Sequence, residues 1–218
     1  VRSKKGDIIG FDVDMMKAMA KAMGVEVEFI NTNWDGIIPA LHTKKFDIIA
    51  SGMTITQSRN LKINFASPYI TVGQTILLRN GLADEITSYE QLNNPRFKVA
   101  SKLGTTGEQA VKRMIPRAKY ISYETEQEGA QEVMNNRVDA FVYDLPFNAI
   151  MASDKGKGKM VHLDKPFTFE PLGWAIRKGD ADFLNFLNNF MYQVRNDGTY
   201  DKIYARWFKS SDWLKEIQ

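Results

Sequence analysis

Phe46-Asp47-Ile48-Ile49-Ala50 is a short apolar run that reads as a buried strand, and Ser51-Gly52-Met53-Thr54-Ile55-Thr56-Gln57-Ser58-Arg59, which follows it, turns polar and ends in an arginine. Gly52 has no side chain to keep a ligand from the backbone. Thr54 and Thr56 offer hydroxyls where a short helix should start, and free N–H groups at a helix start favour an anion. Arg59 adds a planar fork that matches a carboxylate in bidentate geometry. These groups make a carboxylate clamp at the end of a strand. On these residues alone, an ordinary strand-to-helix turn with a surface arginine is the alternative.

Upstream, Asp12 to Met23 reads as a helix with Met16, Met19, Ala20 and Met23 on one face, Asp12 or Asp14 as cap and Gly24 as its end. Val25 to Ile30 alternates as a strand does. Trp34 precedes a helix that contains Pro39 and should run to about Lys44; a loop tryptophan serves either a core or a pocket wall. Downstream, strands are expected at 63–66, 72–79, 97–101, 120–123, 139–144, 160–163 and 172–176. Helices should follow Ser88, Gly104 and Glu124, and occupy 180–195 and the stretch through Trp207. Lys102-Leu103-Gly104-Thr105-Thr106-Gly107 repeats the first pattern and is a second candidate anion cradle, without the glycine spacing or terminal Lys-Ser/Thr of a Walker loop. Asp144 ends a strand, either as a functional carboxylate or as the cap of the next helix. The Ser-Asp-Trp tail reads as a surface appendage. Strands alternating with helices argue an α/β fold with largely parallel sheets, in which ligands bind beyond the carboxyl ends of strands.

The 218 residues allow one large domain or two small ones, and 44% apolar with 25% charged residues is ordinary for a globular protein. No apolar run reaches the ~20 residues of a membrane helix. The net charge of +3 is scattered, without the basic block of a nucleic-acid binder. The cysteine count of zero excludes a disulfide framework and thiol chemistry, and with only His42 and His162 a metal site is not expected. No cofactor is expected.

Gly10-Phe11-Asp12-Val13-Asp14, Trp34 to Leu41, the 46–59 stretch, Phe65-Ala66-Ser67-Pro68-Tyr69, Gly104-Thr105-Thr106, Arg137-Val138-Asp139-Ala140 with Asp144, and Asp197-Gly198-Thr199-Tyr200 with Trp207-Phe208 occur in a familiar order and spacing. With these motifs the chain resembles the polar amino acid-binding proteins of bacterial ABC importers, periplasmic-type solute-binding proteins. The resemblance implies an α/β, two-lobed periplasmic-binding-protein fold of type II. Each lobe would be a central sheet flanked by helices, with the ligand in the interlobe cleft. Lobe 1 would hold 1–72 and 170–218, and lobe 2 would hold 73–169. Members usually begin with a strand and loop ahead of the segment that starts here at Val1, so that first strand is expected to be missing. The resemblance further implies that Arg59 holds the ligand carboxylate, helped by Thr54 and by Thr106 as second-lobe donor. Gly52 would offer its carbonyl, and Asp144 its carboxylate, to the α-ammonium. Trp34 would wall the ligand side chain, and Lys102 would border the pocket.

The implied protein is not an enzyme: it binds a free polar L-amino acid, closes on it and delivers it to a membrane permease from a periplasmic or extracytoplasmic location, lipid-anchored in a Gram-positive cell. It would be a monomer unless the missing strand drives pairing, and would not bind nucleic acid. Two alternatives stand beside it. One is a dehydratase-like enzyme on the same scaffold, with Glu108, Glu124 or Glu170 as its acid; the other is the extracellular sensing domain of a receptor. Lys102 disfavours a cationic side chain, which leans the ligand toward glutamine, with arginine and lysine open.

Overall fold

The structure is a computed structural model that describes residues 2–210 and 212–217. In chain order the elements are α1 (Phe11–Met23), α2 (Ile37–His42), α3 (Gln57–Asn60), β1 (Asn64–Phe65), β2 (Ile70–Val72), β3 (Gln74–Arg79), β4 (Lys98–Lys102), α4 (Thr106–Met114) and β5 (Lys119–Tyr123). They continue with α5 (Glu126–Met134), β6 (Ala140–Asp144), α6 (Leu145–Ser153), β7 (Met160–Leu163), β8 (Glu170–Leu172), β9 (Ala175–Ile176), α7 (Ala181–Asn196) and α8 (Thr199–Tyr204). The chain divides into two compact units, Val1–Ile70 with Pro171–Gln218, and Thr71–Glu170. The chain passes from one unit to the other within β2 and again within β8.

In the first unit α1 ends at Gly24, whose φ of 69° is the left-handed conformation glycine adopts at little cost. Met15, Met16, Met19 and Ala20 are buried, but Met23 is 40% exposed, because the last turn runs past the core. A second core gathers Ile37, Leu41, Ile49, Met53, Ile63 and Ala175. Here β1 pairs antiparallel with β9. Two expected strands do not form as ladders. Val25 to Ile30 has no strand assignment, and the 46–50 run makes only one bridge, Ile49 to Ala175. Alternation supplies a face for a strand but not the neighbour whose hydrogen bonds make it one.

The acidic residues of α1 also depart from expectation. Neither caps the helix, whose N-cap is Gly10 without a side-chain bond. Asp12 instead turns inward and accepts from the Gly52 N–H (3.0 Å), the Tyr69 hydroxyl (3.1 Å) and the Trp174 indole (3.0 Å). Burial pushes its carboxyl up, and the three hydrogen bonds only partly offset that. Asp14 accepts from the Trp207 indole (2.9 Å) and from Arg206 (3.1 Å). The tail is no appendage: Trp213 is buried, packs on Trp207 with ring centroids 5.2 Å apart and donates to the Trp207 carbonyl. Its Ser211 lies outside the described residues.

The second unit holds a five-stranded sheet in the order β5-β4-β6-β3-β7. β4 runs parallel to β5 and β6, whereas β3 runs antiparallel to both its neighbours, β6 and β7. The sheet is therefore mixed rather than largely parallel. The parallel strands are joined through α4, α5 and α6, the crossovers that parallel pairing requires, while β3 enters directly from β2. Apolar clusters cover both faces, one around Leu78, Val99, Val111 and Val142, the other around Leu77, Ala100, Val133 and Phe141. Period-two alternation puts Gln74 on the face of Ile76 and Leu78.

Asp12→Ala leaves three donors without their acceptor. Each buried unpaired donor costs about 1–3 kcal/mol, and removal of a buried charge returns part of that. The variant is expected to lose about 2–4 kcal/mol of unfolding free energy in urea at pH 7; an unchanged transition midpoint would contradict this role of Asp12.

Candidate functional site

The first unit brings Trp34, Gly52, Thr54 and Arg59 onto one loop system. Thr56 accepts from the Arg59 N–H at 3.2 Å and so caps α3. One N–H at the start of α3 is thus satisfied by the Thr56 hydroxyl, and the guanidinium is the charged group of this loop. That group is held twice: it donates to the Thr54 carbonyl at 2.9 Å, and its carbon lies 5.5 Å from the centre of the Trp34 ring. Such a cation–π contact is worth ~0.5–1 kcal/mol at exposed sites. Trp34 is half-buried against the Ile37–Ile49 cluster, so it serves core and loop together. Thr54 is buried, and its backbone bridges to Leu172. Gly52 has a φ of 62°, and a Cβ there would meet only the Leu172 side chain, at 3.9 Å. Backbone conformation, rather than open space for a ligand, is what requires glycine.

The second unit brings Thr106 and Asp144 together through two residues that the sequence reading did not place there, Gln74 and Glu170. The Gln74 amide nitrogen donates to Asp144 at 2.6 Å and to Glu170 at 2.9 Å. The Thr106 hydroxyl donates to the same Glu170 oxygen at 2.9 Å. Asp144 sits at the N-cap of α6 but makes no side-chain cap bond, so the capping alternative is not the one adopted. Thr105, not Thr106, caps α4, accepting from the Glu108 N–H at 3.3 Å. Glu108 folds back onto the Gly104 N–H at 2.6 Å, so this cradle already holds a carboxylate of its own chain. Glu124 is exposed.

Lys102, at the end of β4, donates to Glu126 at 2.8 Å, with both side chains largely buried. Burial by itself raises the Glu126 carboxyl, but the hydrogen bond and charge of Lys102 outweigh it and hold it below 4.5. Burial first, and then the charges of Glu126, Asp144 and Glu170, push the Tyr143 phenol well above 10.0. Tyr143 thus feels both the Lys102 pair and the Asp144 cluster. Gln74 lay inside the strand expected at 72–79 and was not singled out. Glu170 was a candidate acid without a motif.

A profile of the bacterial extracellular solute-binding proteins, family 3, matches residues 1–210. The chain belongs to this family. A probable histidine-binding protein of Neisseria gonorrhoeae is 35% identical over 207 residues, which cover 94% of this chain and 76% of that protein. A putative ABC-transporter binding component from Wolinella succinogenes, solved in complex with lysine, is 52% identical, covers 99% of this chain and 92% of its own, and superposes with a TM-score of 0.95. An ancestral amino acid-binding protein, described as a precursor of cyclohexadienyl dehydratase, is 52% identical at a TM-score of 0.89, covering 95% and 88%. The fold is the two-lobed α/β fold of these proteins, as the resemblance implied.

The Lys102–Glu126 pair has a pH signature. Because the folded-state carboxyl is depressed, its contribution is present above about 4.5, the unfolded value, and is lost as pH falls through the lower folded value. The stability gap between wild type and Glu126→Gln in urea is therefore expected to be constant from pH 7 to about 5 and to shrink below that. A gap that does not depend on pH would contradict the pairing.

Proposed function

We propose that this chain binds a free polar L-amino acid and passes it to the permease of an ABC importer outside the cytoplasm. A zwitterion leaving water needs a partner for each charge. Arg59, with Thr54, would take the carboxylate side in one unit, where the Gly52 carbonyl would face the ammonium. In the other, Asp144 would take the ammonium and Thr106 would be a second donor to the carboxylate, and Trp34 and Lys102 would border the side chain. The observation that carries this reading is that Asp144, at a helix N-cap, gives its carboxylate to Gln74 and not to the helix. Ligand-linked closure, which the family resemblance implies, is part of the same proposal.

A basic side chain is favoured over glutamine. The argument for glutamine was the positive charge of Lys102, and Glu126 meets that charge at 2.8 Å. The similar Wolinella succinogenes protein is complexed with lysine, and the Neisseria gonorrhoeae relative is described as histidine-binding. An enzyme on this scaffold is the second reading, favoured by likeness to a precursor of a dehydratase. It would need one of the candidate acids placed for proton transfer. Glu108 is paired with Lys112 and Gly104, and Glu170 with Gln74 and Thr106, which supports the binding reading.

Calorimetric titration of ligand-free protein with L-lysine, L-arginine, L-histidine and L-glutamine is expected to give one tight, one-to-one ligand. Losing one member of a buried charged contact costs roughly 2–5 kcal/mol, so Arg59→Ala and Asp144→Ala should each weaken that ligand at least tenfold. Wild-type affinity in both variants, or no binding across the panel, would overturn the proposal.

A further inference from the structure

We infer that Glu170 is a positioning residue for the ligand's α-ammonium, acting through Thr106 and, by way of Gln74, through Asp144. The inference rests on the amino-acid-binding reading and deepens it. Glu170 is 4% exposed and opens β8. One of its oxygens accepts both the Thr106 hydroxyl and the Gln74 amide at 2.9 Å; the other accepts the Thr168 hydroxyl at 3.2 Å. Two of these three neutral donors reach onward to the ammonium side of the proposed site.

The Gln74 amide reveals which contacts dominate. Its nitrogen lies between two carboxylates, while its oxygen is buried without a hydrogen-bond partner. A buried orphan acceptor costs about 1–3 kcal/mol, and hydrogen bonds to ionised groups are roughly twice as strong as neutral ones. The two bonds to Asp144 and Glu170 therefore set the amide's orientation and outweigh the orphaned oxygen. The Gln74 backbone is fixed as well, its N–H donating to Thr168 at 2.8 Å. Gly107 completes the arrangement. A Cβ there would lie 2.8 Å from the orphaned Gln74 oxygen and 3.1 Å from the Val142 carbonyl, so glycine lets the start of α4 bring Thr106 this close.

The Thr106 hydroxyl carries one proton. While it donates to Glu170, its oxygen can only accept from a ligand. The backbone N–H of Thr106, rather than the hydroxyl, is then that residue's donor toward a carboxylate. Asp144, aimed by the same amide, is an acceptor too. Glu170 thus sets two acceptors of the second unit for an ammonium.

The test uses Glu170→Ala with two probes: the tightest of L-lysine, L-arginine, L-histidine and L-glutamine, and that amino acid's analogue lacking the α-amino group, such as 6-aminohexanoate for lysine. Affinities are measured by calorimetry, and by NMR titration where they reach the millimolar range. Glu170→Ala is expected to weaken the amino acid at least tenfold and the des-amino analogue less than threefold. A merely structural role would lower both by the same factor, and that result, or no loss for either, overturns the inference. If Glu170→Ala does not fold, Gln74→Leu is read in the same way, since it cuts the link to Asp144. Wild type that binds none of the amino acids overturns the binding reading itself, and this inference with it.

Discussion

Asp12 is a carboxylate held in the interior by three neutral donors, and the first unit is arranged around it. A buried charge is tolerated only where hydrogen bonds replace its water. Each replacement here ties a different part of the unit to α1: the Gly52 N–H brings the site loop, the Tyr69 hydroxyl the segment before β2, and the Trp174 indole the strand region near β9. Aromatic packing follows the same lines. Tyr69 stacks between Phe11 at 5.7 Å and Trp174 at 5.4 Å, and the Tyr200 hydroxyl donates to the Tyr69 carbonyl at 2.6 Å. The loop that carries Thr54 and Arg59 is thereby anchored at Gly52, two residues before Thr54.

The second unit solves a like problem with Glu170. Its carboxylate also accepts from three neutral donors, and one of them, Gln74, links it to Asp144. A neutral amide between two carboxylates orders both without neutralising either. Lys102 is the contrast. Its charge is met by Glu126 inside the same unit.

Much of this was legible in the sequence and some was not, for physical reasons. Helices α1, α4, α5 and α7 could be read because periodicity, caps and breakers are local. The strands of the second unit were read for a similar reason, as apolar runs between breakers. The direction of β3 was not legible, since no residue pattern encodes which way a strand runs. Val25 to Ile30 alternates well and still forms no ladder, because pairing is decided by a partner elsewhere in the chain. Arg59, Thr54, Thr106 and Asp144 stood out by residue type and by place after strands. Gln74 and Glu170 did not, because their role depends on contacts between residues 96 positions apart. Asp12 was seen but given the commonest local task, a helix cap, whereas its partners lie 40 to 162 positions away.

The most direct measurement is a crystal structure of the protein with its tightest amino acid bound. The Arg59 fork is expected on the carboxylate and Asp144 within hydrogen-bond distance of the α-ammonium, with the Gln74 amide still bridging Asp144 and Glu170. An α-ammonium bound away from Asp144, or Asp144 turned to cap α6, would contradict it.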